Sequence, residues 1–250
     1  MGNESKYKRA LVSVTFAALL FLGFSTAIQD QGKTDNTPDW FYPEWAANAK
    51  YNQPIRVLDT ESALGRYATK TKQIGLKDLA RVHGHLCDGL VIAFVEIRAV
   101  LEKLFPNGIV DRTDLRAVSK NGPCWVDAVA IMTGARINFQ TLRIDNRIGD
   151  GFIIQRISTG ETYDVHLKPG VFPAEQANLE NKIRTFRAEG KPVSKEDIDR
   201  LEAMADSLSK FILNSEPNRI LEITLLRDYK FIFNDLYNIR TDIINKDMPR

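Results

Sequence analysis

Residues 83–108 read HGHLCDGLVIAFVEIRAVLEKLFPNG. A polar string from His83 to Asp88 is followed by apolar residues at helical spacing, and the triplet Pro106-Asn107-Gly108 ends the run. This pattern predicts a helix whose cap is Asp88, because a carboxylate there accepts a first-turn N–H. The apolar positions are expected to face a core. The charged positions expected on the side facing water are Glu96, Arg98, Glu102 and Lys103.

Further helices are predicted on both sides of this stretch. One covers residues 76–82, and a second runs from Pro123, which suits a first helical position, to a terminating Gly134. The others cover residues 173–189 and 194–214, the last with Ser194 as its cap. Hydrophobic residues between these segments are arranged as in β-strands. The predicted strands are Leu115–Ser119, Thr141–Asn146, Phe152–Ser158, Thr162–Lys168 and Arg219–Leu226.

The order of these elements indicates the fold class. Thr159-Gly160 forms a short turn between two predicted strands, which therefore pair as a hairpin. Helices and strands follow one another without regular βαβ alternation. We therefore expect a single α+β domain, with a mostly antiparallel sheet packed by helices and a helical C-terminal part. A length of 250 residues, 44% of them hydrophobic, is enough for one sizeable core.

The N-terminus has the pattern of a secretory signal. Three basic residues precede an apolar run from Ala10 to Phe24, and Ser25-Thr26-Ala27 supplies small residues for cleavage. This predicts export to the periplasm or the exterior after loss of residues 1–27. The alternative is an uncleaved membrane anchor formed by residues 10–27, although the run is shorter than the ~20 residues of a typical spanning helix.

The charge of the remaining chain excludes one class of partner. Residues 1–27 contain three basic residues and one acidic residue, so their removal leaves equal numbers of Lys+Arg and Asp+Glu. No basic stripe interleaved with aromatic residues is present, which argues against a nucleic-acid interface. The aromatic segment from Trp40 to Trp45 is expected to dock on the domain or to mark a contact with a partner.

The chemistry is concentrated in His83, His85 and Cys87, because three metal-binding side chains occur within five residues. Imidazole and thiolate ligands favour a transition metal, zinc first and then nickel, copper or iron, over calcium or magnesium. The second cysteine, Cys124, also lies near a predicted helix N-terminus, where the helix dipole lowers a thiol pKa. Asp127 follows on the same helix face, within reach of the metal or of a ligating imidazole.

Two elements of the sequence resemble a known family. HGHLCDG at residues 83–89 is similar to the HGHxCPG signature of the formylmethanofuran dehydrogenase E-subunit-like family, and CWVDAV at 124–129, continuing to Thr133-Gly134, to its CxxDAI…TG element. The resemblance spans about residues 75–228. It implies a metal site whose ligands are His83, His85, Cys87 and Cys124, and it implies a homodimer.

The chain departs from that family pattern at several positions. Asp88 replaces the proline of the signature, and Ala135 stands where many relatives have a second cysteine. Residues 138–140, Asn-Phe-Gln, occupy the place of an expected Gly-Lys pair, and no cysteine follows Cys124, so the four-cysteine zinc ribbon of longer members is missing. The expected organisation is a signal peptide at 1–27, an N-terminal extension at 28–74, the family's domain at 75–228 and a C-terminal tail at 229–250.

Three functions remain open at this stage. The first is an exported metal-binding protein. The second is a metal-dependent enzyme, a hydrolase or a redox enzyme, that uses the same site with Asp127 as base or orienting residue. The third is an interaction domain without metal, stapled by a disulfide between Cys87 and Cys124. The remaining histidine, His166, is expected to have a surface role in the hairpin rather than a role at the metal site.

Overall fold

The computed structural model describes residues 39–62 and 66–234. The chain divides into two units, Met1–Asn36 and Thr37–Arg250, and all described residues lie in the second. The predicted signal peptide falls on residues 1–27, outside the described part of the chain. Within the described part, none of the helices combines the length and the apolar character needed to cross a bilayer.

Seven helices are present in the described residues, and they confirm the helices that the sequence predicted. The pattern 76–82 becomes α2, and the run after His83 becomes α3. The helices are α1 (Glu44–Ala47), α2 (Leu76–His83), α3 (Asp88–Leu104), α4 (Pro123–Thr133), α5 (Ala174–Ala188), α6 (Lys195–Asn214) and α7 (Pro217–Ile220). The Ser194 hydroxyl accepts the N–H of Asp197, as expected for the cap of α6.

Eight strands form two sheets within the described residues. The strands are β1 (Ile55–Leu58), β2 (Lys72–Ile74), β3 (Ile109–Asp111), β4 (Leu115–Ser119), β5 (Leu142–Ile144), β6 (Phe152–Arg156), β7 (Thr162–Leu167) and β8 (Leu221–Leu225). The larger sheet has the order β5-β4-β6-β7-β8, antiparallel except for the β4–β5 pair. The predicted β6–β7 hairpin is therefore confirmed, as is the mostly antiparallel α+β fold.

The smaller sheet incorporates the segment before α2. Its order is β2-β1-β3, with β1 antiparallel to β2 and parallel to β3. Apolar residues of this segment are buried in the same core as the rest of the domain, among them Tyr42, Ala46, Val57 and Ile74. The aromatic segment packs partly on that core through Phe41 and Trp45, while Trp40 stays 86% exposed.

Helix α3 lies at the centre of the core and contacts α4, α6, β6 and β7. A helix that is apolar on nearly all sides is buried on nearly all sides, and most of its residues are buried here. The expectation that Glu96 faces water is therefore wrong, because this side chain is 1% exposed. The expected cap of α3 is also corrected by one position: Cys87 is the N-cap residue and Asp88 is the first helical residue.

Candidate metal centre

The loop between α2 and α3 places His83 and Cys87 near each other. Helix α2 ends at His83, and Gly84 follows with φ of 103°, a left-handed conformation that favours glycine. The chain reverses there, so Cys87 begins α3 only four residues after His83 ends α2. The sequence signal for this reversal was the glycine between the two histidines.

The two cysteines meet because two helix N-termini meet. Cys87 is the N-cap residue of α3 and Cys124 is the second residue of α4, as expected from the sequence. Their Sγ atoms lie 3.4 Å apart, and both are free thiols. A disulfide bond is ~2.05 Å long, so this distance is a contact between sulfurs and not a bond.

Gly89 makes this approach of helices possible. A Cβ atom at Gly89 would lie 3.1 Å from Cys124 Sγ and 3.2 Å from the ring of Trp125. Any larger residue would therefore push α4 away from α3 at the level of the thiols. Sequence reasoning had assigned no role to Gly89, although a glycine in the first turn of a helix is a signal of close packing.

His83 completes a triangle of donor atoms. Its Nε2 lies 4.0 Å from Cys87 Sγ and 3.7 Å from Cys124 Sγ, and the imidazole side chain is 6% exposed. Around a tetrahedral zinc ion, sulfur and nitrogen ligands lie ~3.5–3.8 Å from one another. The three edges of the triangle, 3.4, 3.7 and 4.0 Å, are close to those separations. These three side chains therefore fit a transition metal.

Asp127 orients the imidazole of His83. Its Oδ2 lies 2.7 Å from His83 Nδ1, and the residue is one turn beyond Cys124 on α4. A carboxylate on Nδ1 favours a proton on that nitrogen and leaves Nε2 free to accept a metal. Of the two roles that the sequence allowed for Asp127, the geometry selects contact with the imidazole.

The two thiols share their protons unequally. The pKa of Cys87 is raised, first by its contact with the Cys124 sulfur and then by burial. The pKa of Cys124 is lowered by the same contact, in which the Cys87 thiol donates to the Cys124 sulfur. One thiolate is thus stabilised before any metal is present, and a bound cation displaces the remaining proton.

His85 lies at the rim of this triangle. Its side chain is exposed, and its ring centroid is 4.9 Å from that of His83. Donor atoms of His83, His85 and Cys87 all lie within 4.8 Å of one another. His85 and Cys87 also line a cleft of about 860 Å³, whose other wall is formed by α5 and α6. The cleft gives solutes access to the metal-binding side chains.

Asp88 ties the loop to the wall of this cleft. Its Oδ2 accepts a hydrogen bond of 2.5 Å from Nε2 of Gln176 on α5, and its Oδ1 accepts the N–H of Gly89. Gln176 is completely buried. The replacement of the family's proline by Asp88 is therefore used structurally, since the carboxylate satisfies a buried amide. Sequence reasoning missed Gln176, because nothing local connects α5 with the loop.

His166 lies elsewhere, as expected. It is on β7, where its Nε2 pairs with Asp164 Oδ1 at 2.8 Å and its Nδ1 donates to the Asp150 carbonyl. This pairing raises the pKa of His166 to about 9.

Comparison with known proteins gives a family and one related structure. The family model described as FmdE, Molybdenum formylmethanofuran dehydrogenase operon, matches residues 82–222, which include every proposed ligand. One solved structure that resembles the chain is an FmdE-like protein, of the tungsten formylmethanofuran dehydrogenase type, from Syntrophus aciditrophicus. It is 17% identical, with 61% of this chain and 72% of that chain covered and a TM-score of 0.36. No curated protein matches the chain.

Proposed function

The chain belongs to the FmdE family, as the match over residues 82–222 shows, and from this premise we propose that it binds a transition metal through His83, His85, Cys87 and Cys124. One observation carries the proposal: His83 Nε2 and the two sulfurs form a triangle with edges of 3.4 to 4.0 Å. These donors come from two helix N-termini and from the end of a third helix, so their proximity is a product of the fold.

Zinc is the metal that best suits these donors. Two thiolates and one or two imidazoles are the common ligands of tetrahedral zinc, whereas nickel, copper and iron accept the same atoms less selectively. The exposed ring of His85 turns freely at the rim of the site, and it supplies the fourth ligand in our proposal. Asp127 supports the site by holding His83, without touching the metal itself.

The proposal is tested by metal analysis and thiol counting on the purified full chain. We expect about one metal ion per chain and two alkylatable thiols in denatured, unreduced protein. The variants Cys87→Ser and His83→Ala should lose most of the metal, while the matched variant His166→Gln should keep it. Protein with neither metal nor free thiols would refute the metal site and support the disulfide-stapled domain instead.

A second candidate function, metal-dependent catalysis, is favoured by the cleft beside the site. Three ligands with an open fourth position are typical of catalytic zinc, and four protein ligands are typical of structural zinc. His85 and Cys87 line the cleft, so an exchangeable position there is accessible to small molecules. The variant His85→Ala distinguishes the two functions. Stoichiometric metal in this variant supports an open, catalytic site, and loss of the metal supports a closed one.

We also propose that the protein is exported, with residues 1–27 removed, and that it forms a homodimer. The support for export is the basic and apolar pattern of the N-terminus. The exposed indole of Trp40 supports dimerisation, because an unpaired apolar side chain at the surface favours association. N-terminal sequencing should begin near Ile28. Light scattering should give twice the mass of the chain, and a monomer at high concentration would contradict the dimer.

A further inference from the structure

A buried carboxyl group away from the metal centre has no assigned role. Glu96 lies in the middle of α3 and is 1% exposed, and neither Oε1 nor Oε2 has a hydrogen-bond partner among the described residues. A buried polar group without a partner costs ~1–3 kcal/mol, so native proteins retain few of them. Nine residues of helix, ~13 Å, separate Glu96 from Cys87.

A second unpartnered group faces the same space. Trp125 Nε1 is buried and, like Glu96, finds no acceptor within the described part of the chain. Both side chains line a cavity of about 250 Å³. Most of the remaining wall is apolar, contributed by Ile92, Leu167, Pro169 and Phe172. The cavity thus combines an apolar wall with one carboxyl group and one N–H donor, the composition of a small-molecule site.

The charges around this cavity are already balanced. Asp150, on its wall, pairs with Lys120, and Lys168 donates to the Asn218 carbonyl. His166, whose charge acts on Glu96, is paired with Asp164. Burial raises the pKa of Glu96 to about 8, so the carboxyl group is mostly protonated at neutral pH. A charged ligand would find no counter-ion here, which favours an uncharged one.

From these observations we propose that the Glu96–Trp125 cavity binds a small, uncharged ligand that carries a primary carboxamide group. A carboxamide matches all three unpartnered atoms. Its NH₂ group donates to one oxygen of Glu96, and its carbonyl oxygen has two lone pairs, for the Glu96 hydroxyl and for Trp125 Nε1. An alcohol has a single donor and an ester has none. The apolar wall then accommodates a short hydrocarbon chain.

The test uses propanamide as the probe and the indole N–H resonance of Trp125 as the readout. The chain has three tryptophans, so the resonance is assigned with Trp125→Phe. We expect a saturable shift of this resonance in the intact, metal-loaded protein. Methyl propanoate, which lacks the N–H donors, and propylammonium, which lacks the carbonyl, should each bind at least about tenfold more weakly.

Two substitutions at one position provide the matched variants. Glu96→Gln keeps one donor and one acceptor and should bind propanamide within about threefold of the original chain. Glu96→Met replaces the carboxyl group by an apolar side chain of similar size. It should fold at least as well, since an unpartnered polar group is removed, and lose the saturable shift. Neither substitution touches a proposed metal ligand, so metal content serves as an independent check on folding.

Three results would overturn the proposal. They are an equal shift in Glu96→Met, equal binding of the ester, and ordered water alone in a crystal of the protein soaked in propanamide. Preferential binding of propylammonium would identify an organic-cation site and also refute the carboxamide. Loss of metal from the variants of Cys87 and His83 bears only on the metal centre, so the two proposals fail separately.

Discussion

Asp127 Oδ2 lies 2.7 Å from His83 Nδ1, although 44 residues separate the two positions. The contact joins α4 to the end of α2, and it directs Nε2 of the imidazole towards both cysteine sulfurs. Without it, the ring could present either nitrogen, and the triangle of donors would form in only part of the population.

Replacing Asp127 by alanine should therefore weaken metal binding without removing a ligand. Loss of such a partner of a ligating histidine lowers metal affinity ~10–100-fold. Competition against a chromogenic chelator measures the effect. The control is Asp199→Ala, which removes an acidic residue from the neighbouring cleft and should leave affinity unchanged. Equal affinities in both variants would show that Asp127 does not act on the site.

Substitution of Gly89 should disturb the thiols through packing. In Gly89→Ala the new methyl group would meet Cys124 Sγ at 3.1 Å and the Trp125 ring at 3.2 Å. Overpacking of this kind costs ~1–3 kcal/mol, and we expect lower metal affinity as α4 shifts. Gly75→Ala is the control, because its methyl group would make only an ordinary contact, 3.5 Å from Pro54. Urea denaturation and metal competition should both separate the two variants.

The bond between Asp88 and Gln176 can be measured with a double-mutant cycle. Asp88→Ala leaves the buried Gln176 amide without its carboxylate acceptor, which should lower the free energy of unfolding by ~1–3 kcal/mol. Asp88→Ala combined with Gln176→Leu should recover part of the loss, because no unpaired amide remains. Measurements in excess chelator separate this effect from metal binding at the adjacent Cys87. Strictly additive losses would contradict a direct interaction.

Glu96 should make the protein less stable as pH rises. Its pKa is about 8 in the folded chain, mainly because of burial, against an ordinary value of 4.5. Between these values the unfolded chain releases a proton that the folded chain keeps, so the free energy of unfolding falls by up to ~1.4 kcal/mol per pH unit. The fall begins above pH 4.5 and ends near pH 8.

The variant Glu96→Gln cannot ionise and should not show this fall. Its advantage over the original chain should therefore grow between about pH 5 and pH 8, as measured by urea denaturation at several pH values. Glu102→Gln, at an exposed position on the same helix, is the matched control and should follow the original chain. The difference between chains also removes the contribution of the metal ligands, which is common to all three. A constant difference across this range would contradict a raised pKa.

Most secondary structure could be predicted because its signals are local. Pro123 and Gly134 mark the ends of α4, Ser194 caps α6, and the Thr159-Gly160 turn joins β6 to β7, all within a few residues of each element. Residues 46–74 resisted interpretation because β1 and β2 are short, and β1 pairs with β3 more than fifty residues away. Pairing at that distance leaves little trace in local periodicity.

The sequence by itself determined the α+β class, the helix starts at Cys87 and Cys124, and the soft donors that favour a transition metal. These properties depend on residue type and on spacing within a single turn or strand. Only the tertiary structure decided that His83 faces both sulfurs while His85 lies at the rim, because that depends on how α2 packs against α4. It also decided the burial of Glu96. A charged residue in an apolar helix faces water only where no neighbouring element covers it, and α3 is covered by helices and by the sheet.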